Sequence, residues 1–201
     1  ELIQELKSRG YKVTFYPFLL MDIPATNSLP NPYSDNAAEV GQASYPWRGR
    51  ITVSPAAGFA GTADKTAAAS TQVSAFFNST WGIRRMILHY ANLCESAGGV
   101  DSFIIGTEMR ALTTTRSDAS TYPAVTHYKT LAADVKTIVS VGTRVSYAAD
   151  WSEYFGHQPG DGSGDVFFHL DPFWSDSNVD FIGIDNYMPL SDWRDGHEHL
   201  D

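Results

Sequence analysis

Residues 102–108 read Ser-Phe-Ile-Ile-Gly-Thr-Glu, an apolar run that ends in a carboxylate where the chain enters a loop. A short apolar run without polar alternation is typical of a strand that is covered on both faces, as strands of parallel sheets are. The run therefore predicts a buried parallel strand with Glu108 at its carboxyl end.

Two later runs end in the same way. Residues 144–149 lead into Asp150 and Trp151, and residues 179–184 lead into Asp185. Because parallel strands point in one direction, their carboxyl ends meet at one edge of the sheet. We therefore expect acidic and aromatic side chains to gather at that edge, which is a composition suited to binding sugars.

Helical patterns separate the predicted strands. Periodicity of three and four residues runs from about 66 to 97 and again from about 121 to 140, and a further apolar run at 11–20 predicts an earlier strand. The last three strands start roughly 35 to 45 residues apart, as in a (β/α)8 barrel. A doubly wound open sheet would show the same alternation, but no strand is followed by a glycine-rich phosphate turn.

The length limits how much of a barrel the chain can form. A full (β/α)8 barrel takes roughly 250 residues, and the chain has 201, of which 43% are hydrophobic. We expect one α/β domain over residues 1–201, a partial (β/α)8 TIM-barrel-like fold, read as part of a longer polypeptide. Proline, glycine and scattered aromatic residues predict a long structured loop at about 21–65.

Composition excludes several classes of partner and site. The chain has 23 acidic and 14 basic residues and a net charge of −9, which argues against nucleic acid as a partner. No segment is apolar for the roughly 20 residues of a membrane span. Cys94 is the single cysteine and falls on a helical apolar stripe. His197 and His199 lack the spacing of a zinc site, so we expect no metal and no cofactor.

Several motifs resemble a known family. Residues 105–109, 147–151 and 180–187 are similar to strand-end motifs of retaining (β/α)8 glycoside hydrolases, especially mannanase-like members. The pattern over nearly the whole chain most resembles the gene-transfer-agent TIM-barrel-like domain of phage-tail and baseplate hub proteins. The resemblance implies that the chain holds about strands three to six. It also implies that Glu108 is the acid/base and that the nucleophile, a glutamate after the seventh strand, lies beyond Asp201.

The resemblance further implies a function and a place. We expect a glycoside hydrolase-like domain that acts on or binds host cell-surface or cell-wall polysaccharide. It would lie in the tail of a phage-like particle made in a bacterial cytoplasm, with other tail or baseplate proteins as partners. The alternative is a non-catalytic module, either glycan-binding or structural, and a cleft filled by the loop at 21–65 would favour a structural role.

Several candidate site residues have a structural alternative. Glu108 could form a salt bridge with Arg110 or Arg116 instead of acting as a catalyst. The predicted substrate-binding residues are Asp22, Asp150, Trp151, Asp185, Asn186 and Tyr187. Asp150 and Asp185 could instead cap the elements that follow them, and Tyr187 could close the barrel. Trp47, in the long loop, could either reach the cleft or pack within its own loop.

Overall fold

A computed structural model describes residues 1–188 and contains one parallel sheet. Its strands are β1 (Thr14–Phe15), β2 (Ser102–Thr107), β3 (Arg144–Asp150) and β4 (Gly183–Asp185), in the spatial order β1-β2-β3-β4. Each strand pairs in parallel with the next one along the chain. This sequential order is that of a barrel wall, whereas a doubly wound sheet reverses direction at a switch point. The predicted partial TIM-barrel-like fold is confirmed, and within the described residues the sheet is open.

Six helices accompany the strands in the described part of the chain. They are α1 (Leu2–Ser8), α2 (Ala67–Asn78), α3 (Ile83–Ser96), α4 (Arg110–Thr113), α5 (Pro123–Lys136) and α6 (Asp171–Trp174). Short 3-10 helices lie at Arg48–Arg50 and Trp151–Phe155. In residues 1–188, no helix is long and apolar enough to cross a membrane.

Three elements differ from the expectations. The helical pattern at 66–97 is two helices, because the chain turns between them. In this turn the Gly82 backbone lies so close to Phe77 that a Cβ atom at position 82 would be 2.4 Å from the Phe77 carbonyl oxygen. The strand expected at 11–20 has two paired residues, and Pro17 has no N–H for the ladder. The last strand was expected from residue 179 but begins at Gly183. At Asp180 it is the side chain that accepts the hydrogen bond from the Val145 N–H, at 2.5 Å, in place of a backbone carbonyl.

The core lies between the central strands and the helices α2, α3 and α5. All six residues of β2 are buried, and so are all residues of β3 except Arg144, which confirms that both faces are covered. Cys94 of α3 belongs to this core, and burial raises the pKa of its thiol to about 11, as expected for a structural cysteine.

The chain between β1 and α2 has little regular structure but is anchored at its end. Both oxygens of the Asp64 carboxylate bind Arg116, one accepting from the backbone N–H at 2.6 Å and the other from the guanidinium at 2.9 Å. Both side chains are buried. This pair fixes the end of the long loop against the segment that follows α4.

Gly106 marks a close approach of α5 to the sheet. A Cβ atom at this position would lie 2.7 Å from the ring of Tyr128, which α5 holds fully buried. The strand therefore requires a glycine beneath this tyrosine.

We expect Gly106→Ala to lower the free energy of unfolding by about 1–3 kcal/mol, because the buried ring of Tyr128 cannot move away from the added methyl group. Urea denaturation of the purified protein measures this loss. Gly142→Ala is the matched control, since a Cβ there meets nothing within 4 Å, and it should be close to neutral. Equal stability of the two variants would contradict the packing described here.

Candidate functional site

Glu108 lies directly after β2 and is nearly inaccessible to solvent, with 4% of its surface exposed. Its backbone N–H donates to the carbonyl of Ala148 at 2.8 Å, which ties it to the neighbouring strand. Its φ of +49° places it in the left-handed region, where residues other than glycine are uncommon. Backbone strain of this kind is concentrated at functional sites, so the conformation marks Glu108 independently of its chemistry.

Two side chains of the long loop hold the Glu108 carboxylate. Trp47 Nε1 donates to Oε2 at 2.8 Å, and an Arg48 guanidinium nitrogen lies 2.7 Å from the same oxygen. The Trp47 ring is packed so closely on Gly49 that a Cβ there would lie 2.3 Å from it. The Arg48 guanidinium lies over the Phe18 ring, 4.8 Å from its centre.

The ion pair of Glu108 is not one that the sequence suggested. Arg116 binds Asp64, and Arg110 is exposed at the start of α4. The partner is Arg48, which is 16% exposed in its side chain against 5% for Glu108. The contact is therefore a buried, charge-assisted hydrogen bond.

Asp185 joins the ends of three strands. Its Oδ2 accepts hydrogen bonds from the Tyr16 hydroxyl, just after β1, and from Thr107 Oγ1, at the end of β2, the latter at 3.0 Å. Burial and the neighbouring Asp185 raise the pKa of Tyr16 above its ordinary value, so the phenol stays a neutral donor. Asp185 is therefore hydrogen bonded to Thr107, the residue that precedes Glu108 in the chain.

The other predicted acidic residues lie elsewhere. Asp150 caps the 3-10 helix that follows β3: its Oδ2 accepts from the Ser152 N–H at 3.0 Å, while its own N–H donates to Glu153 at 2.8 Å. This is the capping role that the sequence left open. Asp22 is exposed in the long loop.

Two clefts are lined by the side chains that bind Glu108, although Glu108 itself lines neither. One of about 460 Å³, the Tyr16 cleft, is lined by Tyr16, Phe18, Arg48, Asp185, Asn186 and Tyr187. The other, of about 770 Å³, is the Trp151 cleft, whose lining includes Tyr33, Trp47, Arg50, Arg110, Trp151 and His157. Arg48 lines the first cleft and Trp47 lines the second, so each cleft is bordered by a side chain that binds the Glu108 carboxylate.

The structure thus divides the predicted residues into groups. Asp185, Asn186 and Tyr187 meet in the Tyr16 cleft, and Trp151 lines the Trp151 cleft. Asp150 and Asp22 line neither of these two clefts. Tyr187 is 70% exposed and does not fill the barrel interior.

A buried network below the site was not anticipated from the sequence. The N–H of Met109 donates to the Tyr147 hydroxyl at 2.7 Å, and that hydroxyl lies 3.4 Å from Oε2 of Glu153. Thr113 Oγ1 donates to the other Glu153 oxygen at 2.5 Å. This network connects the residue after Glu108 to the helix capped by Asp150, and the capping-box spacing of Asp150 and Glu153 was the available sequence signal.

Within residues 1–188, no group of three or more His, Cys, Asp or Glu side chains could hold a metal ion. Asp161, in a loop with a faint resemblance to a calcium site, is instead 2.5 Å from the Lys65 ammonium. His197 and His199 lie outside the described residues.

The fold and the position of Glu108 define a class of protein in which a barrel wall of parallel strands has a buried glutamate at its carboxyl edge. The family model of the GTA TIM-barrel-like domain matches residues 81–201, more than half of the chain, and the chain belongs to this family. A search of curated proteins gave no match. The recognition made from the motifs is confirmed at the level of the family.

We expect Arg48→Met to lower the free energy of unfolding by about 3–5 kcal/mol, because it leaves the Glu108 carboxylate buried without a counter-charge. Adding Glu108→Gln should restore most of that loss, since the charge itself is then removed. Urea denaturation of the single and double variants measures the coupling between the two residues.

Arg84→Met is the matched control for this pair. Arg84 binds Asp134 at 2.8 Å but is 42% exposed, so its loss should cost less than about 1 kcal/mol. If the double variant with Arg48→Met and Glu108→Gln is no more stable than Arg48→Met alone, Arg48 does not compensate the buried charge of Glu108.

Proposed function

We propose that this domain acts on polysaccharide as a retaining glycosidase, with Glu108 as the acid/base. The observation that carries the proposal is the position of Glu108: a buried carboxyl group at the carboxyl edge of a barrel wall, bound by two side chains that each line a cleft. In (β/α)8 barrels, catalytic residues come from this edge.

The chemistry requires two carboxyl groups roughly 5 to 5.5 Å apart. Glu108, protonated, would give its proton to the glycosidic oxygen as the bond to the anomeric carbon breaks and a second carboxylate attacks that carbon. Glu108, then ionised, would take a proton from the water that releases the sugar. The second carboxylate stays a prediction from the family resemblance.

Arg48 sets a condition on this mechanism. Arg48 and Trp47 both bind Oε2, so that oxygen is occupied in the structure. Proton donation through Oε2 in the first half of the reaction requires that Arg48 turn away when the substrate binds. Trp47 Nε1 can remain hydrogen bonded to that oxygen in both forms.

The side chains around Glu108 suit a sugar ligand. Tyr187 and Trp151 offer aromatic faces for the apolar side of a pyranose ring, and Asn186 offers an amide for its hydroxyl groups. We include Asp185, Asn186 and Tyr187 in the substrate site and place Trp151 at a neighbouring subsite. Asp150 and Asp22 would act indirectly, since Asp150 caps a helix and Asp22 is exposed in the long loop.

Family membership supports a setting for this activity. Gene transfer agents are phage-like particles, and we propose that the chain works in the tail of such a particle. Its target would be the surface or wall polysaccharide of the host cell, and its partners would be other tail or baseplate proteins.

A non-catalytic role is the second candidate, and one observation favours it. Trp47 and Arg48 come from the long loop and cover the carboxylate that would have to reach the substrate. If this contact is permanent, the edge can bind glycan or support the particle but cannot transfer a proton.

The test compares the full-length protein with its Glu108→Gln variant for release of reducing ends from bacterial surface polysaccharides and plant mannans. We expect turnover to fall by about 10²- to 10⁴-fold, the usual contribution of general acid/base catalysis. Glu95→Gln is the control, because Glu95 is a carboxylate bound to Ser140 at the opposite end of the sheet, and it should retain full activity.

The remaining outcomes separate the candidates. Glycan binding without turnover by the unmodified protein would identify a recognition module. Neither binding nor turnover would leave the structural role.

A further inference from the structure

The Trp151 cleft contains two cationic side chains that the rest of the site does not use. Arg50 ends the 3-10 helix of the long loop, and Arg110 begins α4, two residues after Glu108. These two short elements pack on each other, so both arginines border the same cleft. Within residues 1–188, neither guanidinium forms an ion pair with a carboxylate, whereas Arg48 and Arg116 both do.

Arg50 is held in a position to bind a planar anion. Its guanidinium stacks on the Tyr33 ring, 4.1 Å from the ring centre. Stacking occupies the face of the guanidinium and leaves its N–H edge free, and that edge matches the two oxygens of a carboxylate. The cleft therefore presents a cationic edge near aromatic surfaces.

Glu153, the acidic residue in the cleft wall, does not form an ion pair with Arg50 or Arg110. Glu153 has no exposed side-chain surface, and its oxygens accept inward from Thr113 and from the Asp150 N–H. It contributes a negative charge to the floor but offers no oxygen to Arg50 or Arg110.

An unpartnered histidine adds a second sign of a ligand site. His169 lines the cleft with a side chain that is 1% exposed, and neither ring nitrogen has a hydrogen-bond partner among residues 1–188. Nε2 lies 3.8 Å from the Glu153 carboxylate, too far for a hydrogen bond. Buried polar groups without a partner are uncommon in proteins, so these two nitrogens mark an unsatisfied polar position in the wall of the cleft.

We propose that the Trp151 cleft binds a sugar carboxylate, so that the polysaccharide recognised by this domain contains uronic acid units. Arg50 and Arg110 hold the carboxylate, and Trp151 or Trp47 stacks on the ring that carries it. The inference rests on the proposed function in taking the ligand to be a polysaccharide, and it does not depend on catalysis by Glu108.

The overall charge of −9 does not oppose this choice. At physiological ionic strength, charges on the surface are screened over about 8 Å. Contact with two arginines in the cleft therefore outweighs the more distant acidic residues of the chain.

The experiment measures the Kd of the full-length protein for end-labelled oligosaccharides of galacturonate, of alginate and of hyaluronate, each beside its carboxyl-reduced, neutral form. At least one acidic oligosaccharide should bind, and carboxyl reduction should weaken binding by about tenfold or more. Arg50→Gln and Arg110→Gln should each raise the Kd by about tenfold, the loss expected for a hydrogen bond to a charged group.

Arg85→Gln is the matched control. Arg85 also stacks on an aromatic ring, that of Trp81, at 4.1 Å, but it lies on α3 outside the cleft, so its loss should leave the Kd unchanged. Circular dichroism and the urea midpoint confirm that the variants are folded.

The proposal is overturned if no acidic oligosaccharide binds, if the reduced forms bind equally well, or if Arg50→Gln and Arg110→Gln bind as tightly as the control. Failure of the proposed catalysis looks different. Acidic oligosaccharides would then bind through the two arginines without being cleaved, whereas turnover of neutral polysaccharide without an effect of the arginines would retain the glycosidase and reject the uronate site.

Discussion

The burial of one carboxylate governs the arrangement of this edge of the protein. An ionised glutamate removed from water costs several kcal/mol unless its charge is compensated, and Glu108 lies at the end of the most buried strand. Its compensation comes from Trp47 and Arg48, which belong to a loop far away in the sequence. The loop is therefore held over the site by a charge, and the Asp64–Arg116 pair fixes its end.

The hydrogen bonds of Asp185 show how the sheet is shaped around that carboxylate. In a flat sheet, β1 and β4 would be three strand spacings apart, roughly 14 Å. A tyrosine after β1 and an aspartate of β4 nevertheless share a hydrogen bond. The strand ends must turn inward, as they do in a barrel, and this curvature brings Asp185 close to Thr107 and so to the neighbourhood of Glu108.

The sequence predicted those parts of the fold that depend on local patterns. The buried run at β2, the helix α5 with its proline at the first turn, and the parallel order follow from periodicity and burial. The positions of Glu108 and Asp185 at the strand ends follow from the same reasoning.

What the sequence did not predict depends on contacts between distant residues. Arg48 is 60 positions from Glu108 by residue number, and nothing in a loop rich in proline and glycine indicates which arginine turns inward. Asp150 had the same strand-end position as Asp185, but three residues later Glu153 forms a capping box with it and takes it away from the cleft. The helix break before Gly82 depends on a close backbone approach that periodicity does not register.

The most direct measurement is a crystal structure of the full-length Glu108→Gln protein with a bound oligosaccharide of a polymer that it recognises. We predict a glycosidic oxygen within hydrogen-bonding distance of the residue 108 amide, Arg48 turned away from that side chain, and sugar rings continuing into the Trp151 cleft. An oligosaccharide bound at another surface, with Trp47 and Arg48 still covering residue 108, would contradict it.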